Sequence, residues 1–192
     1  MRTYASNIST ATMPLNISET QIVCVDPPFH AESALVGAYA TELGVPFVSI
    51  DRPYDQALAS GAAAVIISGE FHNRAYPRVE LSELFAAYQQ RAQGLVVLTV
   101  GDDAILYGRR AAPCRQFKPY RVAVVDSAGN SFRAGVIYGI LRQWNDEQTS
   151  QYAAAVARLV CASFPGVLNS PTHAEVMQFI QEHESVQATV WR

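Results

Sequence analysis

Val124-Val125-Asp126-Ser127-Ala128-Gly129-Asn130-Ser131-Phe132 contains a strand end, a turn of small residues and the start of a helix. The first free amides of such a helix point back into the turn and carry partial positive charge. Ala128 and Gly129 have no bulk to keep an anion away from them. The stretch therefore fits a phosphate or oxyanion cradle. It also fits a plain turn and cap, the commoner meaning of a strand-Ser-x-Gly-helix junction.

Upstream, short β-branched runs alternate with amphipathic ones. Strands are expected at residues 21–25, 45–50, 63–67 and 95–100, with helices at 31–43 and 81–91. Gly44 serves as the stop of the first helix. Continuous apolar strands separated by helices fit a parallel sheet covered on both faces. Two shorter strands, 104–107 and 120–125, are followed by helices near 129–144, 146–161 and 171–183. The expected fold is α/β, a three-layer sandwich around a mainly parallel sheet. Ligands of such sheets sit beyond the carboxyl ends of the strands. That directs attention to residues 26–30, 51–54 and 68–71, and to the turns at Gly101 and Gly129. Residues 2–6 could form a further strand with no obvious partner.

The chain has 192 residues, enough for one domain with a real core. Charged residues make up 16%, against a usual ~25%, so some surface is expected to lie under a partner. A net charge of −3 gives no electrostatic case for nucleic acid or an anionic membrane surface. Cys24, Cys114 and Cys161 are scattered, with no Cys-x-x-Cys, so no zinc site is expected. Reduced thiols and an N-terminus without an apolar core segment point to a cytoplasmic protein. The Asn-x-Ser triplets at Asn7 and Asn16 then carry no meaning. No apolar run approaches the ~20 residues that span a membrane.

A second junction, Val97-Leu98-Thr99-Val100-Gly101-Asp102-Asp103-Ala104, ends a strand in Thr-x-Gly. Gly101 permits a tight turn or a close ligand. A hairpin turn with Asp102 and Asp103 in solvent is the simpler reading.

In this order and spacing the two junctions resemble the ribokinase-like (PfkB) carbohydrate kinases. That family has a strand ending Thr-x-Gly-x-x-Gly, a hairpin, and then Asp-Thr-x-Gly-Ala-Gly-Asp-x-Phe opening a helix. Residues 153–161 resemble the family's helix beside the nucleotide base. Ser170-Pro171-Thr172-His173-Ala174-Glu175-Val176 resembles the start of its last helix. The resemblance covers roughly residues 22–180. It implies ATP with Mg2+ as cofactor, a nucleotide pocket at Thr99, Gly101, Ala128 and Gly129, and transfer of phosphate to a sugar hydroxyl.

The departures are specific. The last Asp of the family signature, its general base, is Asn130 here, and an amide does not take a proton at neutral pH. The loop is two residues short between Asp126 and Ala128. The Asn-x-x-Glu element expected after residue 67 reads Ser68-Gly69-Glu70-Phe71. Family members are commonly longer, and the portion that carries the sugar-binding element and most of the lid has no counterpart. Residues 1–20 then read as a leftover lid strand with its connector, and 21–192 as the α/β core.

The expectation is a single truncated domain, a sugar-kinase-like protein inactive by itself, with its sugar site missing and a homodimeric state. A non-catalytic scaffold and one piece of a split kinase are the alternatives. His30, His72, His173 and His183 have no ligand spacing. Gly135 and Gly139 are expected to pack a helix on the sheet. Trp144 is expected in a core or interface, Trp191 in a tail, and Arg133 in solvent.

Overall fold

The computed structural model describes residues 21–26, 30–121, 128–163, 165–183 and 189–191. Among the described residues seven strands form one sheet in chain order. They are β1 (Val23–Val25), β2 (Phe47–Ile50), β3 (Ala64–Ser68), β4 (Leu95–Val100), β5 (Ala104–Gly108), β6 (Arg115–Phe117) and β7 (Thr189–Val190). β1 to β4 run parallel, with Val48 beside Ala64 and Ser68 beside Thr99. β5, β6 and β7 add antiparallel to that block.

Strand period two divides the core. Val65, Ile67, Val96 and Leu98 face α4 (Leu81–Arg91), which buries Leu84, Phe85 and Tyr88 against them. Val48, Ala64, Ile66, Leu95 and Val97 face α5 (Ala128–Leu141) and α6 (Asp146–Ala162). α1 (His30–Glu42) packs with α2 (Ala57–Ser60) over Val23, Val25 and Phe47. Layers of helix, sheet and helix result, as the apolar runs imply. The run 95–100 is completely buried from Leu95 to Leu98, and each such side chain contributes about 1.5–3 kcal/mol.

Local chemistry sets the ends of the helices. Gly44 takes a φ of +68° after α1. Asn145 and Gln148 close a capping box on α6, and Thr172 and Glu175 another on α7 (His173–Glu182). Those reciprocal bonds hold the Glu175 carboxyl below its ordinary range.

Several expectations need correction. Residues 68–71 hold a helix that was not expected: α3 (Gly69–Ala75) starts there, capped by Ser68. The helix expected to reach residue 144 ends at Leu141, and Gln143 turns to a φ of +57°. Gly135 and Gly139 pack α5 against α6, not against the sheet. A Cβ on Gly135 would stand 2.5 Å from the Ala153 Cα, and one on Gly139 2.7 Å from the Thr149 side chain. Trp191 is no loose tail, since its ring packs edge-on to Phe85 at 6.5 Å. Tyr120 and Arg121 lie outside any strand, and the rest of the strand expected at 120–125 lies outside the described residues, as do residues 2–6.

Candidate functional site at the carboxyl ends of the strands

α5 opens at Ala128, with Gly129 and Asn130 exposed. A Cβ added to Gly129 would meet nothing within 4 Å among the described residues. The free amides of a helix start carry the partial positive charge that suits an anion.

One turn on, Arg133 controls what surrounds Asn130. Its guanidinium donates to the Asn130 amide oxygen at 2.9 Å and forms an ion pair with the Asp26 carboxylate just past β1. The Arg133 side chain is only 14% exposed, so the expectation of a solvated arginine is overturned. The Asp26 carbonyl in turn accepts from Arg52 and from the Ser33 hydroxyl, both at 2.7 Å. Arg52 is 3% exposed, and burial lowers its pKa while Asp26 opposes that shift.

Asp51 anchors the neighbouring corner. Its φ of +47° is left-handed, a strained state for a residue with a side chain. Its carboxylate accepts the Ser68 N–H at 2.8 Å and the Ser68 hydroxyl at 2.9 Å. The Ser68 oxygen also accepts the Phe71 N–H at 3.0 Å, which caps α3. Burial raises the Asp51 pKa, and the two bonds from Ser68 and the charge of Arg74 offset part of that rise. Below it the Tyr88 hydroxyl donates to the Arg52 carbonyl at 2.6 Å.

Ser68 pairs with Thr99 across β3 and β4. A Cβ on Gly69 would lie 3.1 Å from the Thr99 carbonyl oxygen. One connected set thus runs from Asn130 through Arg133, Asp26, Arg52, Asp51 and Ser68 to Thr99, across the ends of four parallel strands. Gly101 has a φ of +54° and sits in the β4–β5 hairpin, where Asp103 donates its N–H to Val100 at 2.9 Å. Asp102 and Asp103 are exposed, as the hairpin reading expects.

His72, His173 and His183 serve local structure. His72 bonds the Val79 carbonyl at 2.8 Å, and His183 bonds that of Phe179 at 2.8 Å. His173 bonds the Tyr152 hydroxyl at 3.2 Å and stands beside Tyr138 and Trp144. Among the described residues no group of three or more His, Cys, Asp or Glu could hold a metal ion. No helix of the described residues is long and apolar enough to cross a membrane. Sequence reasoning named Thr99, Gly101, Ala128, Gly129 and Asn130. It missed the Asp26–Arg133 pair, whose partners are 107 positions apart, and the bent backbone at Asp51.

A 5-dehydro-2-deoxygluconokinase of Geobacillus kaustophilus is 34% identical over 67 residues, which are 35% of this chain and 20% of that protein. The namesake enzyme of Geobacillus thermodenitrificans is 35% identical over 63 residues. Solved structures share the fold at low identity. The ribokinase of Arabidopsis thaliana, complexed with ribose and ATP, superposes with a TM-score of 0.71 at 17% identity, covering 86% of this chain and 57% of that one. A protein described as ribokinase II of E. coli, in complex with ATP and Mg2+, gives 0.73 at 15% identity, covering 87% and 60%. The chain thus spans about three fifths of these solved kinases, and its matched part about one fifth of the curated relatives. The family model for "pfkB family carbohydrate kinase" matches residues 60–173, more than half of the chain, and holds β3 to β6 and α3 to α6. The chain belongs to the pfkB family of carbohydrate kinases.

Proposed function

We propose that this chain holds a nucleotide by its phosphates at the start of α5 and does not by itself phosphorylate a sugar. The observation that carries the reading is Asn130. At the position that matches the family's acidic residue stands a neutral amide, and Arg133 occupies its oxygen at 2.9 Å. An amide oxygen accepts a hydrogen bond but takes no proton at neutral pH. Loss of a general base typically removes a factor of ~10²–10⁴ in rate.

The residues present fit ATP. Ala128, Gly129 and Asn130 open α5, where the free amides of a helix start suit an anion, and a Cβ on Gly129 would meet nothing within 4 Å among the described residues. Thr99 and Gly101 border the same end of the sheet. Mg2+ would arrive on the phosphates themselves. When bound, ATP supplies the transferable phosphoryl group, with its charge spread over oxygens that Mg2+ neutralises. Arg133 would keep Asn130 fixed and its own charge shared with Asp26. A cytoplasmic setting suits three cysteines that form no disulfide among the described residues. A homodimer suits Leu35, 71% exposed, and Tyr39 and Leu43 beside it.

Calorimetric titration with ATP and ADP, with and without Mg2+, tests the reading together with a phosphotransfer assay on common sugars. Saturable nucleotide binding without sugar phosphorylation is expected. Heat-silent titrations would favour a plain scaffold, and robust phosphorylation by the chain alone would overturn the assignment of Asn130. Asn130→Asp separates the causes of inactivity. It should raise the rate if the base is the sole defect, and change nothing if the short loop or the absent sugar site is the obstacle.

A further inference from the structure

Arg133 and Asp26 stand 107 positions apart in the chain and meet beside the start of α5. Helical side chains lean toward the helix N-terminus, over the turn before their own Cα. The Arg133 guanidinium accordingly lies over the first turn of α5 and donates from Nη2 to the Asn130 amide oxygen at 2.9 Å. Its other terminal nitrogen, Nη1, pairs with the Asp26 carboxylate. The cation best placed to join the α5 amides in holding an anion is thus already engaged by an anion of the chain itself.

The two partners are held unequally. The Arg133 side chain is mostly covered, and it stands on α5, which packs closely along α6 at Gly135 and Gly139. The Asp26 side chain is half-exposed. What pins Asp26 is its carbonyl, which accepts from the Arg52 guanidinium and the Ser33 hydroxyl, both at 2.7 Å. Its carboxylate is therefore free to turn about χ1 into water while the backbone past β1 stays in place. Arg52 remains beside it as a second, buried cation. A phosphate brings more charge than a carboxylate and meets a guanidinium with two oxygens at once, where Asp26 meets it at Nη1.

We propose that Asp26 is a built-in competitor of the nucleotide: it engages Arg133 until phosphate arrives, and the phosphate displaces it and takes the guanidinium. The proposal rests on the nucleotide reading above. It adds to that reading a phosphate ligand, Arg133, and a latch, Asp26. Ligands without a phosphate chain gain nothing from opening the latch.

Calorimetric titration with ATP and Mg2+, and with adenosine as control, compares the parent with Asp26→Asn and Arg133→Gln. Asparagine keeps an acceptor for Arg133 but carries no charge. Asp26→Asn should bind ATP roughly tenfold more tightly, with its response to adenosine and its circular dichroism as in the parent. Arg133→Gln should bind ATP about tenfold more weakly. The exchange of acceptors is read from the Arg133 Nε–H signal in nitrogen-15 NMR, assigned by its loss in Arg133→Gln. That signal should move on saturation with ATP and stay in place with adenosine. Saturable ATP binding with equal affinities for parent and Asp26→Asn, or with the Arg133 signal unmoved at saturation, would overturn the latch and leave the nucleotide reading standing. Binding by Asp26→Asn where the parent is heat-silent would support both, with the latch shut in the parent. Silence from parent and Asp26→Asn alike would overturn the nucleotide reading and the latch with it.

Discussion

Two corners at the carboxyl ends of the strands hold acids to opposite effect. At the β2–β3 corner Asp51 is folded inward, strained at a φ of +47° and bonded twice by Ser68. At the β1–α5 corner Asp26 is 46% exposed along its side chain and faces Arg133. The first acid holds backbone together: it ties the end of β2 to the cap of α3. The second neutralises an arginine that in turn holds an amide. The exposed side chain in the first turn of α5 is that of Asn130, whose amide oxygen Arg133 holds. On the proposed reading, the scaffold of a phosphate-handling site is kept while the group that would move a proton is not.

The strongest way to break the comparison is to remove the structural acid. Asp51→Ala leaves the Ser68 N–H without its acceptor and keeps the left-handed backbone. A loss of about 2–4 kcal/mol is expected, or roughly 5–12 °C in Tm for a chain of this size. Thermal unfolding followed by circular dichroism measures it; a Tm within a degree of the parent would show that Asp51 is not a structural anchor.

Next comes the seam that carries the other corner. Gly135→Ala forces a Cβ to 2.5 Å from the Ala153 Cα, so α5 must shift from α6. Overpacking of this kind costs about 1–3 kcal/mol, and a chemical denaturation midpoint reads it. The same variant should weaken ATP binding, because α5 carries Ala128 and Gly129. An unaltered midpoint would mean that the two helices are not fixed against each other.

A smaller effect sharpens the contrast through pH. The Asp51 pKa is raised in the fold, chiefly by burial. Its ionised form is therefore disfavoured in the folded state, and this group's share of the cost is full above its raised pKa. The cost fades as pH falls through that value toward the ordinary carboxylate range. Asp51→Asn, which tolerates the left-handed backbone, should remove this acid-side gain. The difference in stability between parent and variant should shift in the parent's favour on going from neutral to mildly acid pH. A difference that stays constant over that window would place Asp51 in water.

How far the sequence carried these corners depends on the range of the interactions. The apolar run 95–100 and the amphipathic run 81–91 are the observed bounds of β4 and α4, because burial on both faces or on one stripe leaves a local pattern. β6 and β7 were missed: three and two residues, including Arg115 and Gln116, are too short and too polar to show a period. α3 was not named, because Ser68-Gly69 reads as punctuation; its cap depends on Asp51, seventeen positions back. The opening of a helix near Gly129 was legible in its small residues. That Arg133 would hold Asn130 was not, since Asp26 draws it in across the sheet, and no spacing records that. The role of glycine in the α5–α6 seam was half legible: the spacing of Gly135 and Gly139 marked close packing but not the partner.

The central claim is that the start of α5 keeps a place for nucleotide phosphates. Gly129→Glu tests it most directly, because the added Cβ meets nothing within 4 Å among the described residues and an acid in a first turn favours the helix. The fold should therefore survive with its Tm unchanged or slightly raised. Calorimetric titration with ATP and Mg2+ should then give saturable binding for the parent and an affinity at least about tenfold weaker for the variant, through repulsion of like charges. Equal affinities for the two proteins would contradict the account and place any bound nucleotide elsewhere.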